Sequence, residues 1–471
     1  MLYHPSGINK TDRAWRTYDT LRASLRATLW PTPAIIARTG QPAERQAQID
    51  VAEWSPDGSM LITAGEERIV RVWNVDGVRD RKTEKRFDPV TAAALTWPTD
   101  GVSSSVTATP AVPGTVEYVK CAAWPRRPES RDAPGMSAAM LAAHHRRPLA
   151  ANVAAAAAPG PGGRVVSASV GAGSSSSTAP GTKQPSPNPS MGTTWKPDGF
   201  VTITNQNRVA FYDLRSATGV AASHTLPATT QPIGCSLLPM SEGASGSTHA
   251  LDPANPYLLV GSGSTSCSGM LLFDARGSLA KPAAQWSSAY LVNSFAVDLG
   301  SPAALVGPRV FCATEDKRLE VVNPYRLDQE RHVTGNGIWA ANAPCTAVAV
   351  DPQRRYIAVG AHDSTVSLYQ WNDLMPVRTC KYEDDAPIRD LSFNFDGDIL
   401  SGVASDSSNI FSWATEYGLP AFVTSLPPPF TTVDKIQWHP TRNVAALITY
   451  KKDKNIIAAA GKIMMMSVQS G

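Results

Sequence analysis

The sequence predicts an all-β fold, a seven-bladed β-propeller with disordered insertions, and two observations support this prediction. First, one pattern of short apolar strands separated by tight turns recurs along the 471 residues. From its third copy onward the copies are spaced by roughly 43–59 residues, which is close to the period of a four-stranded propeller blade. Second, the pattern lacks the amphipathic helices that an α/β fold would need between its strands.

The first copy shows the pattern most fully. An apolar strand at Ile49–Trp54 is followed by the turn sequence SPDG, a second strand at Met60–Gly65, a polar turn and a third strand at Ile69–Asn74. Proline and glycine in SPDG favour a tight turn. Apolar residues on both faces of the first strand are expected for the inner strand of a blade.

The remaining copies repeat the first and third strands. The first strand recurs at Val119–Trp124, Ile233–Leu238, Val292–Val297, Cys345–Val350, Ile388–Phe393 and Val433–Trp438. The third strand recurs at Val209–Asp213, Met270–Asp274, Leu319–Asn323, Val366–Gln370 and Ile410–Trp413, and by hydrophobicity alone at Ile463–Ser467. Seven copies predict seven blades, each with short, protected edges.

The N-terminal segment sets the predicted domain boundary. Residues 1–32 form an extension, in which Leu21, Leu25 and Leu29, spaced by four, predict a short helix outside the ring. The propeller is predicted at 33–471. Its last blade needs a fourth strand, and Pro33–Arg38 is the predicted source; the alternative is that this segment only caps the surface.

Two segments depart from the repeat period. Residues 78–117 form a long connection, and residues 126–192 form a low-complexity insert whose small apolar content predicts disorder. The insert explains the stretch at Thr193–Arg215, which begins with a turn but has no strand before it. We predict that its strand at Phe200–Ile203 pairs with Val119–Trp124, so that the insert interrupts the second blade.

Composition indicates a soluble intracellular protein. The net charge is +3 and 42% of the residues are hydrophobic, which allows a large core and does not indicate a dedicated nucleic-acid binder. The six cysteines have no metal-ligand spacing, so buried thiols in a reducing compartment are expected. An apolar secretory segment and an apolar run of about 18 residues are both missing from the sequence.

The motifs examined do not predict an enzyme, a cofactor, a metal or a small-molecule substrate. The nucleophile motif GxSxG, the zinc motif HExxH and paired carboxylates are absent from the sequence. Asp316 and Asp363 each precede a third strand by a few residues. We expect them to bond turn amides and a neighbouring His or Ser, which is a structural role.

The turns between second and third strands carry basic residues. In a propeller these turns project from one face, close to the central channel. The residues concerned are Arg68, Arg208, Lys317, Arg318, Lys451, Lys452 and Lys454. One hypothesis is that this face is locally basic and binds an acidic partner segment or RNA phosphates. The alternative is ordinary solvated turn charge.

The repeats resemble those of WD-repeat proteins, although the namesake Trp–Asp has become VWN, FYD, LFD, LYQ or FSW. The C-terminal half resembles the THO complex subunit 3 family in three successive elements. These are Asp373–Arg378, the strand and turn at 388–397, and the Trp-His-Pro element at 438–440. The resemblance covers roughly 285–471 well, and 49–77 and 200–278 loosely.

This resemblance implies a function that the residues alone do not show. It implies a non-catalytic scaffold subunit of a THO/TREX-like complex in the nucleus, acting in co-transcriptional mRNA processing and mRNA export. The implied partners are the large helical THO subunit and an RNA helicase. Any RNA contact would be auxiliary, weak and salt-sensitive.

The sequence also bears on two other function classes. Asp213 with Arg215, and Asp274 with Arg276, follow the third strands of successive blades. This arrangement is similar to the docking box of substrate receptors for cullin-RING ubiquitin ligases, although Asp and Arg also end strands for structural reasons. A methyl-lysine reader would need an aromatic cage at the channel mouth, and the basic turns disfavour a cationic ligand there.

Overall fold

The computed structural model describes residues 25–31, 49–65, 69–74, 90–96, 117–125, 199–214, 220–240, 252–264, 268–275, 278–299, 307–328, 337–382, 384–428, 430–451 and 460–470. The chain divides into two units. One comprises Met1–Pro128 and Lys196–Gly471, and the other is Glu129–Trp195, which lies outside the described residues.

The described strands form seven antiparallel sheets of four strands each. The first strand, β1 (Leu25–Pro31), belongs to the seventh sheet. The first sheet contains β2 (Ile49–Trp54), β3 (Met60–Gly65), β4 (Ile69–Asn74) and β5 (Val90–Thr96). The second contains β6 (Val119–Ala123), β7 (Gly199–Thr204), β8 (Arg208–Asp213) and β9 (Val220–Thr225). The third contains β10 (Pro232–Met240), β11 (Asp252–Gly263), β12 (Ser268–Asp274) and β13 (Ala284–Ser287).

The next four sheets follow the same order along the chain. They contain β14 (Val292–Asp298), β15 (Arg309–Thr314), β16 (Arg318–Val322) and β17 (Ile338–Trp339); β18 (Cys345–Val350), β19 (Tyr356–Ala361), β20 (Thr365–Gln370) and β21 (Pro376–Lys381); β22 (Ile388–Phe393), β23 (Ile399–Ala404), β24 (Asn409–Ala414) and β25 (Leu419–Ser425); and β26 (Thr432–Trp438), β27 (Val444–Lys451) and β28 (Ala460–Ser470) with β1.

The apolar core lies between the sheets. In the described part of the chain, each of seven clusters of buried side chains joins one sheet to the next. The cluster that joins the seventh sheet to the first contains Trp54 and Trp73 together with Ile448. Burying a large apolar side chain stabilises a fold by about 1.5–3 kcal/mol, so these layers hold the ring together.

Every innermost strand carries a β-bulge at its second or third residue. The bulged residues are Asp50, Lys120, Ile233, Asn293, Thr346, Arg389 and Asp434. A bulge redirects one side chain without breaking the strand. Thr346 donates its hydroxyl to the Ile388 carbonyl at 2.6 Å, and Arg389 donates Nε to Asp434 Oδ1 at 2.7 Å. The bulges therefore link neighbouring sheets as well as shaping the inner strands.

The prediction for the second sheet is confirmed. Strands β6 and β7 pair antiparallel, with Val119 opposite Thr204 and Ala123 opposite Val201. The two strands are separated along the chain by 126–198, which contains the predicted insert 126–192 and lies outside the described residues. The pairing shows that the second sheet forms across the insert.

The prediction for the closing strand is wrong in its position. Strand β1 pairs with β28, with Leu25 opposite Ser470 and Pro31 opposite Met464, whereas 33–38 lies outside the described residues. The propeller therefore includes residues that we assigned to the extension 1–32, and Leu25 and Leu29 belong to a strand rather than a helix. Residues spaced by four lie on one face in a strand as well as in a helix, so the spacing of these leucines did not distinguish the two structures.

The predicted long connection at 78–117 also needs correction. It contains β5, the fourth strand of the first sheet, which pairs with β4. The sequence VTAAALT contains three consecutive alanines, a residue type depleted in strands, and lacks aromatic residues, which explains why the strand was missed.

Other sequence expectations concern helices and cysteines. Within the described ranges, none of the helices is both long and apolar enough to cross a membrane. Cys121, Cys312, Cys345 and Cys380 are buried free thiols, and Cys235 is a half-buried one. The sixth cysteine, Cys267, lies outside the described residues.

Candidate interaction face

Turns between second and third strands lie at the end of the propeller where the inner strands begin. The Asn205 amide donates to the Tyr118 carbonyl at 3.1 Å, and the Glu315 amide donates to the Leu291 carbonyl at 2.8 Å. The fifth and sixth sheets repeat this contact: the His362 and Ser405 amides donate to the Pro344 and Pro387 carbonyls. We call this end of the propeller the turn face.

The backbone of these turns is held in one conformation. Asn207, Lys317, Ser364 and Asp406 have φ between 57° and 66°, in the left-handed region. Asn and Asp tolerate this region, whereas Lys and Ser enter it less readily. Residues that follow the outer strands hold Lys317 and Ser364 in this conformation. The Ala340 amide donates to the Lys317 carbonyl and the Tyr382 amide donates to the Ser364 carbonyl, each at 2.8 Å.

The two predicted structural aspartates lie in these turns. Asp363 Oδ1 accepts the Thr365 amide at 3.2 Å and the Thr365 hydroxyl at 2.6 Å. Asp316 Oδ2 accepts Nε of Arg318 at 3.0 Å. Both carboxylates therefore bond within their own turns, with a threonine or an arginine in place of the expected His or Ser.

The predicted basic residues are only partly within the described chain. Arg208 lies 3.7 Å from the Glu117 carboxylate, and Arg318 forms the ion pair with Asp316. Lys317 is half-buried in its turn, and Lys451 ends β27. Arg68, Lys452 and Lys454, together with the Lys451 side chain, lie outside the described residues. Neighbouring carboxylates reduce the positive potential of both described arginines, and the basic face remains a prediction.

The alternative docking box is described only at its carboxylates. Asp213 ends β8 and Asp274 ends β12, so both lie at the ends of third strands in successive sheets. Arg215 and Arg276 lie outside the described residues. The geometry of the Asp–Arg pairs therefore stays untested.

An exposed aromatic cluster on the turn face was not predicted. Trp339 and Tyr290 are 62% and 39% exposed, and the Arg318 guanidinium lies over both rings. Tyr290 lies in the connection from β13 to β14, and Trp339 ends the short strand β17. The three residues come from distant parts of the sequence and follow no repeat period, so only the fold brings them together.

One carboxyl group near the inner strands has a perturbed pKa. Burial raises the pKa of Asp390 to about 6 from its usual 3.8, although the Ile436 amide and the Lys435 ammonium lower it in part. Asp390 Oδ1 accepts the Leu391 amide and Oδ2 accepts the Ile436 amide, each at 3.0 Å. This carboxyl joins the sixth sheet to the seventh, and it titrates close to neutral pH.

Comparisons with known proteins agree with this architecture. The WD domain, G-beta repeat family model matches residues 43–74 and 333–370. THO complex subunit 3 of Arabidopsis thaliana is 30% identical over 111 residues, which cover 23% of this chain and 32% of that protein. The β-propeller domain of Cps50 (Swd1) from Myceliophteria thermophila has a TM-score of 0.52 and 10% identity, covering 90% of this chain and 98% of that one.

These matches settle the fold and part of the resemblance. The chain carries WD40 repeats and folds as an all-β WD40-type propeller, as the sequence predicted. The resemblance to THO complex subunit 3 is confirmed over a partial region, and the matched segment spans about a third of that relative. At 10% identity, the likeness to the Cps50 propeller shows the fold alone.

Proposed function

We propose that this protein is a non-catalytic scaffold subunit of a THO/TREX-like complex, acting in the nucleus in co-transcriptional mRNA processing and mRNA export. The observation that carries this proposal is the 30% identity to THO complex subunit 3 over 111 residues. WD40 propellers generally act as interaction platforms, which agrees with a scaffold role. The implied main partner is the large helical subunit of that complex, with RNA contact weak or indirect.

We also propose that the seven described sheets are the seven blades of one ring. The core clusters between successive sheets support this count, including the cluster between the seventh sheet and the first. A closed ring offers a rigid rim on which several partners can bind at once. Rigidity suits a scaffold because little ordering entropy is lost on binding.

The state of the buried cysteines supports a role without catalysis. Burial raises the pKa of Cys345 and of Cys380 to about 12, so both remain protonated thiols at neutral pH and are poor nucleophiles. The contacts of Asp316 and Asp363 are those of turn residues rather than of a general base.

Affinity purification with mass spectrometry tests the proposal. The full chain should recover the large THO subunit and mRNA export factors from nuclear extract. Recovery of a cullin and its adaptor instead, lost in the Arg215→Ala and Arg276→Ala variants, would contradict the THO role and support the ubiquitin-ligase alternative. Recovery of neither set would leave the THO proposal without its expected partner and would count against it.

A further inference from the structure

The turn face carries the most exposed large apolar side chain of the described residues. Trp339 is 62% exposed and Tyr290 is 39% exposed, and the guanidinium of Arg318 lies over both rings. The other two exposed large apolar side chains, Met375 and Val423, lie elsewhere, in the connection before β21 and in the outer strand β25. A single exposed apolar residue needs no explanation, whereas a cluster of aromatic residues often marks a binding surface.

The Arg318 guanidinium makes a cation–π contact with each of the two rings. The Cζ atom of Arg318 lies 4.7 Å from the Trp339 ring centroid and 5.8 Å from the Tyr290 ring centroid. Its Nε is held by Asp316 at 3.0 Å. Because this guanidinium already makes the cation–π contacts, the two rings do not form an empty cage for a cationic ligand.

The backbone around the cluster is fixed by hydrogen bonds. The Ala340 amide, next to Trp339, donates to the Lys317 carbonyl at 2.8 Å, and the Tyr369 hydroxyl donates to the Ala340 carbonyl at 2.8 Å. The Tyr290 carbonyl accepts the Ser268 hydroxyl at 2.9 Å. A surface that is already ordered loses little conformational entropy when a partner binds.

The charge around the cluster disfavours a phosphate ligand. The turn Glu315–Arg318 contains two acidic and two basic residues, and Glu320 adds a further carboxyl group nearby. Glu315 is exposed and bonds Asn293 at 2.8 Å. Counted over the described residues, the local formal charge is therefore slightly negative, which favours a partner with basic residues over an RNA backbone.

We propose that Tyr290, Arg318 and Trp339 form a docking point for a protein partner, which places an apolar side chain against the exposed Trp339 ring and basic residues on either side of it. Trp, Tyr and Arg are the residue types that contribute most to protein–protein binding energy when a partner covers them. The basic flank would lie against Glu315 and Asp316. This inference rests on the proposed role as an interaction subunit, and it names the place and the chemistry of one contact.

Peptide binding to the purified full chain tests the docking point. The probes are a fluorescein-labelled peptide KKGWLGKK, its apolar-free counterpart KKGSSGKK, its acidic counterpart EEGWLGEE, and an oligouridine. KKGWLGKK should bind best, and Trp339→Ala should weaken its binding about tenfold or more. Tyr290→Ala provides a second variant of the same surface, should Trp339→Ala fold poorly.

Met375→Ala is the matched control, because Met375 is 59% exposed and lies in a turn between third and fourth strands, at the opposite end of the strands from the turn face. It should bind KKGWLGKK as the unaltered chain does. Three results would overturn the docking point. The first is no binding of KKGWLGKK, and the second is that the Trp339 and Tyr290 variants bind this peptide as tightly as the unaltered chain does. The third is Trp339-dependent binding of oligouridine in preference to the peptides. Co-purification of THO subunits is scored separately, so either proposal can fail while the other stands.

Discussion

Two buried side chains, one polar and one apolar, show how single residues join the seventh sheet to the first. His439, in the Trp-His-Pro element, is buried, and its Nε2 lies 2.9 Å from the Gly58 carbonyl of the first sheet. The Trp54 indole packs edge-on against the His439 imidazole, with 4.7 Å between the two ring centroids. The element that suggested a family resemblance is therefore also the contact between the last inner strand and the first turn.

We expect Gly58→Ala to destabilise the protein by roughly 2–4 kcal/mol. Gly58 has a φ of 72°, in the left-handed region, and a Cβ atom there would overlap the His439 imidazole. Urea unfolding measures the change. Gly307→Ala is the control, because its Cβ would lie 4.0 Å from its nearest neighbour, Asn323 Nδ2. An effect of similar size in both variants would contradict the account of this contact.

The pKa of Asp390 predicts a dependence of stability on pH. Its value of about 6 in the folded protein exceeds the usual 3.8, so between these values the folded chain binds more protons than the unfolded chain. The contribution of Asp390 to the free energy of unfolding should therefore rise as pH falls from about 7 to about 4, by roughly 1–3 kcal/mol. The charged groups nearby are Arg389, Asp434 and Lys435.

Unfolding of Asp390→Asn at several pH values tests this dependence. The substitution also changes the hydrogen bonds to Leu391 and Ile436, but that effect should be similar at every pH. The slope between pH 4 and 7 should become less negative than in the unaltered chain, whereas Asp398→Asn, at an exposed ion pair, should keep the original slope. An unchanged slope in Asp390→Asn would show that this carboxyl does not titrate as stated.

At the scale of elements, the sequence predicted the inner strands well and the outer strands poorly. An inner strand such as β18 is apolar on both faces because a sheet packs on each side of it. An outer strand such as β9 alternates half-buried and exposed residues and reads VAASHT, while β17 has only two residues. Strands of this kind form by pairing with an existing sheet, so their own sequences carry little signal.

The closing strand gives a direct test at this scale. Deleting residues 1–31 removes β1 and leaves one edge of β28 without its partner along the seven residue pairs of their register. We expect a melting temperature lower by at least about 5 °C. Deleting only residues 1–24 retains β1 and should leave the melting temperature close to that of the full chain. Equal melting temperatures for the two truncated chains would contradict the closing role of β1.

The second sheet should form without its insert. Because β6 and β7 pair directly, deletion of residues 129–195 should leave the melting temperature within a few degrees of the full chain. Differential scanning calorimetry measures this. Loss of the cooperative transition would show that the inserted unit contributes to the stability of the propeller.

At the scale of the whole molecule, the ring was predictable and the binding surface was only partly so. The repeat of Ile49–Trp54 along the chain predicted the architecture because every blade packs against its two neighbours in the same way and so needs the same apolar pattern. The turn charges at Arg208 and Arg318 were visible in sequence, but their carboxylate neighbours were not. The aromatic cluster at Trp339 depends on the pairing of β17 with β16, and a strand of two residues carries too little sequence to reveal it.

The central claim is that this propeller is an interaction subunit of a THO/TREX-like complex. The most direct measurement is size-exclusion chromatography with light scattering of the purified chain mixed with the purified large helical THO subunit from the same source, each at about 10 μM. The account predicts co-elution as a stoichiometric complex that persists when residues 129–195 are deleted. Separate elution of the two proteins at that concentration would contradict it.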